Sequence, residues 1–219
     1  GSGSIINQIL TNPGSATAGT VQYIVTPTAT TGNCAGEPYT ITVTVNPKPS
    51  VTTTNSITIC SGASPNIALT ASTQSSFSWT LGSNTGNISG ASAGSGPTIN
   101  QTLTNPDNST AGTVEYIVTP TAVAGNCVGE PYTIKVTVNP KPTVTTANSS
   151  TICSGASPKI ALTASTASTF SWTLGSITGN ISGASAGSGS NIYQTRRPSN
   201  HATAGTVQYI VTPTATTGS

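Results

Sequence analysis

Four cysteines carry the most obvious covalent chemistry of this 219-residue chain, and their spacing is regular. Cys34 recurs as Cys127 and Cys60 as Cys153, each pair 93 residues apart. No Cys-x-x-Cys pair is present and His201 is the sole histidine, so the set does not read as a zinc site. Repeated cysteines, no methionine and threonine-rich strands instead suit an oxidising, extracellular setting. The acids are Glu37, Asp107, Glu115 and Glu130, and Glu37 and Glu130 are one repeat position. General acid–base catalysis needs a positioned and tuned pair, which this set does not supply. A nucleophilic triad would require His201 beside one of many undistinguished serines, so His201 reads as a solvated loop residue. The glycine-rich run from Gly90 to Gly96 lacks the Gly-Lys-Ser/Thr ending and following helix of a phosphate loop, and reads as a flexible connection. The expectation is a chain that is not an enzyme and holds no cofactor or metal.

Within residues 50–142 the available cysteine pair is Cys60 with Cys127. A disulfide closing that 67-residue loop would stabilise by roughly 4 kcal/mol in the chain-entropy account. In a two-sheet sandwich, however, the turn after Cys60 and the loop holding Cys127 lie at opposite ends. Either the first strand is short, or the cysteines bridge neighbouring modules. If Cys60 pairs with Cys127, Cys34 and Cys153 have no partner within the chain, either because their modules are cut short or because they pair between chains. A second departure from uniformity is Arg196-Arg197-Pro198, which stands where the other repeats read Thr11-Asn12-Pro13 and Thr104-Asn105-Pro106. With His201 close by, Arg196 and Arg197 form a candidate contact loop or simple drift in a non-core loop.

Composition narrows the field. Charged residues make up 5% of the chain, against about 25% in an ordinary domain, so Thr, Ser, Asn and Gly must cover the surface. The net charge of +2 is too small for a footprint on nucleic acid or an anionic membrane. No apolar run reaches the length that spans a bilayer as a helix. Disorder is excluded by the regular alternation of Ile, Val, Leu, Tyr and Trp.

That alternation defines the elements. Ile67 and Leu69, then Phe77, Trp79 and Leu81, then Val114, Tyr116 and Val118, then Tyr132, Ile134, Val136 and Val138 each place an apolar row on one face of a strand. Shorter strands are expected near Val51–Thr54, Thr58–Cys60 and Thr98–Leu103. Trp79 is the largest single burial in this core. The near-verbatim 93-residue period signals an array of modules. Its punctuation is Asn46-Pro47-Lys48-Pro49, repeated as Asn139-Pro140-Lys141-Pro142, a short stiff linker through which no central strand can run. The domain organisation expected is a partial module at 1–49 with its C-terminal strands, a complete module at 50–142, and a module lacking its last strand at 143–219. The start reads as native sequence from within a longer protein, since Gly-Ser-Gly recurs at Gly94 and Gly187. Seven or so short strands per module predict an all-β class of tandem immunoglobulin-like antiparallel β-sandwich repeats.

The ordered set Ile59-Cys60-Ser61-Gly62, Phe77-Ser78-Trp79-Thr80-Leu81-Gly82, Ala111-Gly112-Thr113-Val114-Glu115-Tyr116, Gly125-Asn126-Cys127 and Val136-Thr137-Val138-Asn139-Pro140 resembles the PKD-like and immunoglobulin-like repeats of giant Bacteroidetes surface proteins. The resemblance implies export, often by the type IX route, and a role in adhesion or gliding. Thr80, Leu81 and Ser83 stand where such domains commonly carry acids, which sets aside an acidic-loop or calcium role. The expected function is a non-catalytic stalk or spacer of an extracellular adhesin or surface filament. Alternatives are a self-assembling fibre subunit built by inter-chain strand complementation, and a carbohydrate-binding repeat or accessory region of a secreted hydrolase. Tyr39 and Tyr132 are the repeated aromatics that could meet a surface glycan, and they fit equally as core residues. The partners expected are neighbouring repeats and, in a filament, other copies of the chain.

Overall fold

Period-two alternation with no helical spacing produces strands joined by turns. The structure is a computed structural model and describes residues 1–14, 16–179, 181–194, 197–198 (backbone alone) and 204–216. Residues 1–49 contribute β1 (Gly19–Val25) and β2 (Tyr39–Val45), an antiparallel pair. Residues 50–142 hold β3 (Ser56–Cys60), β4 (Ile67–Ala68), β5 (Ser75–Thr85), β6 (Gly94–Ser95), β7 (Thr98–Ile99), β8 (Gly112–Ala122) and β9 (Tyr132–Asn139). The remainder forms β10 (Ile160–Ala161), β11 (Ser168–Ile177), β12 (Ile181–Ser182), β13 (Gly187–Ser188), β14 (Asn191–Ile192), β15 (Arg197–Pro198) and β16 (Val207–Ala215).

In the central module one layer is a five-stranded sheet of order β3-β9-β8-β5-β6. The facing layer is the β4–β7 pair, continued by the bridges Val51–Ala71 and Ala63–Leu103. Ile67, Leu69, Ile99 and Leu103 from this layer pack against Phe77, Trp79, Val114, Tyr116, Val118, Ile134, Val136 and Val138 from the sheet. The expectation of a wholly antiparallel sandwich needs one correction. β3 runs parallel to β9, with Ser56 opposite Lys135 and Cys60 opposite Asn139. A chain that enters a module at one end and leaves at the other must have its first and last strands pointing the same way.

β8 is the central strand, paired to β5 along one edge and β9 along the other. Its alternate residues from Gly112 to Ala122 are all buried. Tyr116 lies at the middle, fully enclosed, and its hydroxyl donates to Gln101 Oε1 at 3.0 Å. Gln101 in turn accepts from Ser92 N–H at 2.9 Å and donates to Ser92 O at 3.0 Å. Trp79 Nε1 donates to the same carbonyl at 3.1 Å. The set recurs as Tyr209, Gln194, Ser185 and Trp172, and in part as Tyr23 with Gln8.

The glycine-rich segment is not the flexible connection expected. Gly94 pairs with Trp79 in the β5–β6 ladder, and a Cβ there would stand 2.8 Å from the indole ring. Glycine lets the backbone lie flat on Trp79, so the segment is held as the edge strand β6.

Trp79→Ala is expected to destabilise the central module by about 3–5 kcal/mol, through lost burial and the cavity left behind. Urea unfolding followed by circular dichroism, with Trp172 fluorescence reporting the other module, measures this. Burial raises the Tyr116 phenol from its ordinary 10.0 to about 12. The fold keeps the neutral form, so this stabilisation is complete below about pH 10 and is lost as pH rises through 12. Tyr116→Phe is expected to move the alkaline unfolding midpoint upward while costing about 1 kcal/mol at neutral pH for the lost hydrogen bond. A pH titration of unfolding free energy for both proteins checks the pair of effects.

Candidate functional site: the module junction

The least sequence-typical packing lies where one module meets the next. Pro47 and Pro49 are buried and Lys48 between them is exposed. Proline fixes φ and has no N–H to satisfy, so the linker can be stiff and partly enclosed at once. It docks on the β8–β9 hairpin turn. There Thr121 bridges Val128 and Ala122 N–H donates to Cys127 O at 2.9 Å, closing a turn through Gly125 and Asn126 with φ of +74° and +52°. A Cβ on Gly125 would collide with the Asn46 side chain, and one on Gly129 with Pro49 O and Pro120. Both glycines are sites of close approach by the preceding module. Lys48 Nζ lies 3.4 Å from Glu130 Oε1, but the two side chains are 70% and 85% exposed, so the ion pair adds little.

At the other end of the central module, Asn139 and Pro140 are buried. Asn105 holds this end together: its Nδ2 donates to Thr110 O at 2.8 Å and Val138 O at 2.9 Å. Asn12 repeats both contacts, to Thr17 O at 2.8 Å and Val45 O at 3.0 Å. Sequence reasoning passed over this asparagine; its recurrence before a proline in a loop was the available signal. Asp107, two residues on, accepts from the hydroxyls of Thr110 and Ser109 and from Ser109 N–H, which hold its carboxyl well below the usual range. The loop then reaches the following module. Asn108 Nδ2 donates to Thr143 Oγ1 at 3.1 Å, and Ser165 Oγ donates to Asn108 O.

The cysteines mark the two ends. All four are free thiols, with Cys34, Cys60 and Cys153 exposed and Cys127 half-buried. The Cys60–Cys127 pairing does not form. Cys60 faces Asn139 at the far end of β9, while Cys127 precedes the start of β9 at Tyr132. Eight residues of strand separate the ends by more than about 20 Å at 3.3 Å per residue, whereas a disulfide needs Cα atoms within about 7 Å. A short first strand does not rescue it, because the parallel register fixes the positions.

The contact-loop residues Arg196 and His201 lie outside the described residues. Arg197 is described by backbone only, and its register corrects the alignment. Arg197 pairs with Ser182 as Thr104 pairs with Ser89, so Pro198 rather than Arg197 takes the position of Asn105. Proline has no amide to make the asparagine's contacts. Tyr132 is half-buried and packed against the core, while its repeat Tyr39 is 70% exposed. Among the described residues no three His, Cys, Asp or Glu side chains gather. Among the described residues no helix is long and apolar enough to cross a membrane.

Two facing β layers traversed end to end by the chain define an immunoglobulin-like β-sandwich. The chain belongs to the PKD-like domain family, whose model matches residues 1–49 and 57–142, well over half its length. Domains of this kind are generally non-catalytic and typically occur in extracellular proteins. Compared with curated proteins, the chain matches none.

Gly129→Val is expected to lift the linker off the turn and speed proteolytic cleavage around Pro47–Ser50. Lys48→Ala is expected to leave the cleavage rate within error of the parent. Timed limited proteolysis, with circular dichroism to check that the module remains folded, compares the two.

Proposed function

We propose that the chain is a non-catalytic stalk or spacer of an extracellular adhesin or surface filament, and that its modules transmit tension along the array. In this reading the repeating units are residues 1–49, 50–142 and 143–219, and each adds reach of about 25 Å from a strand of the length of β9. The observation that carries it is the parallel pairing of β3 and β9. Tension enters near β3 and leaves through β9, so it loads their ladder in shear. All five residue pairs from Ser56–Lys135 to Cys60–Asn139 must yield together. A hairpin opened from its end would lose them one at a time. The sparsely charged, hydroxyl-rich surface and the enclosed prolines of the linker support the same reading, since neither depends strongly on salt.

Ser61 N–H donates to Asn139 O, and donors alternate along a parallel ladder, so Ile59 is a donor as well. Ile59→Pro removes one bond from the middle of the clamp. In single-molecule pulling between residues 1 and 219, the central module of the variant is expected to unfold at clearly lower force than the parent. Equal forces for the two proteins would contradict the tension-bearing reading.

A further inference from the structure

Residues 50–142 carry one cysteine at either end, and head-to-tail stacking brings the two ends of successive modules together. Cys60 lies beside Asn139 across the β3–β9 ladder, an inter-strand step of about 4.8 Å. Asn46 is the same repeat position as Asn139, and its side chain abuts Gly125 of the next module's turn, two residues before Cys127. One asparagine therefore neighbours both cysteine positions, on one side through the sheet and on the other through the junction. A second observation agrees. Cys34 and Cys127 occupy the same turn, closed by Ala29 N–H to Cys34 O and Ala122 N–H to Cys127 O, both at 2.9 Å. Only Cys127, with a module ahead of it in the chain, is half-buried; Cys34 is exposed.

We propose that the array is covalently stapled by disulfides across its junctions, joining the cysteine that ends β3 of one module to the cysteine in the hairpin turn of the module after it. No such pair falls within residues 1–219. The partner of Cys60 would lie one repeat beyond Cys127, and that of Cys127 one repeat before Cys60. The chemistry is thiol–disulfide exchange with a small-molecule disulfide such as oxidised glutathione. One protein thiolate attacks it and expels a glutathione thiolate. The second protein thiolate then attacks the mixed disulfide at the protein sulfur and expels the other. Two protein thiols lose two electrons and two protons, and one glutathione disulfide becomes two glutathiones. The inference rests on the head-to-tail array of the proposed function, not on its tension-bearing role.

The test extends the chain after Ser219 with a copy of the segment from Cys127 to Pro142, which supplies the missing turn cysteine in register. Both this chain and the 219-residue chain are refolded in a glutathione redox buffer, alkylated, digested without reduction and mapped by mass spectrometry. The expected result is a fragment joining Cys60 to the added cysteine, lost in Cys60→Ser, with Cys34, Cys127 and Cys153 alkylated. The 219-residue chain is expected to keep four alkylatable thiols. A Cys60–Cys127 link in either chain, a link from Cys153 to the added cysteine, or full alkylation of a folded extended chain would overturn the proposal. Absence of the staple with an intact Ile59→Pro force effect removes this inference alone. A staple without that force effect removes the tension-bearing reading alone.

Discussion

An interior strand must be covered along both edges and on one face, and β8 shows what that requirement does to this molecule. Its centre, Tyr116, is enclosed completely because β5, β9 and the facing layer all close on it. The sequence from Gly19 to Ala29 is identical to that from Gly205 to Ala215, and differs from Gly112–Ala122 only at Glu115. Yet β1 and β16, each paired along one edge among the described residues, leave Tyr23 and Tyr209, the equivalents of Tyr116, only half-buried. Burial here belongs to the neighbourhood of a strand and not to its residues.

The same constraint explains the polar interior features. A tyrosine at the centre of a core needs an acceptor, and Gln101 supplies it while also binding both backbone groups of Ser92. Ser92 O then serves Trp79, and Gly94 lies flat on that ring. Three side chains, Tyr116, Gln101 and Trp79, thereby hold a loop that composition alone would leave free. Satisfied networks of this kind confer order at positions where apolar burial is thin.

Strand direction imposes the second constraint. With β3 and β9 parallel, the chain enters and leaves residues 50–142 at opposite ends, and the segment Asn46–Pro49 lies on the turn that holds Gly125 and Gly129. The prolines fill that contact without unsatisfied donors, and the turn glycines admit it. Strand pairing, junction packing and the placement of the cysteines are thus consequences of one topology.

Much of this was legible in the residues. Period-two rows located β5, β8 and β9, the Pro-x-Pro segments marked where β2 and β9 end, and the absence of paired acids argued against catalysis, in keeping with a family that is generally non-catalytic. Those features are local, and local sterics and side-chain chemistry decide them. The direction of β3, the role of Asn105, the ordering of the Gly94 strand and the separation of Cys60 from Cys127 were not legible. Each depends on what lies across a sheet or a junction, at sequence distances of 15 to 80 residues. The sequence by itself determined an all-β chain of alternating strands with few charges and regularly spaced thiols. Only the tertiary structure decided which ends meet, because strand register, unlike strand propensity, is set by the partner.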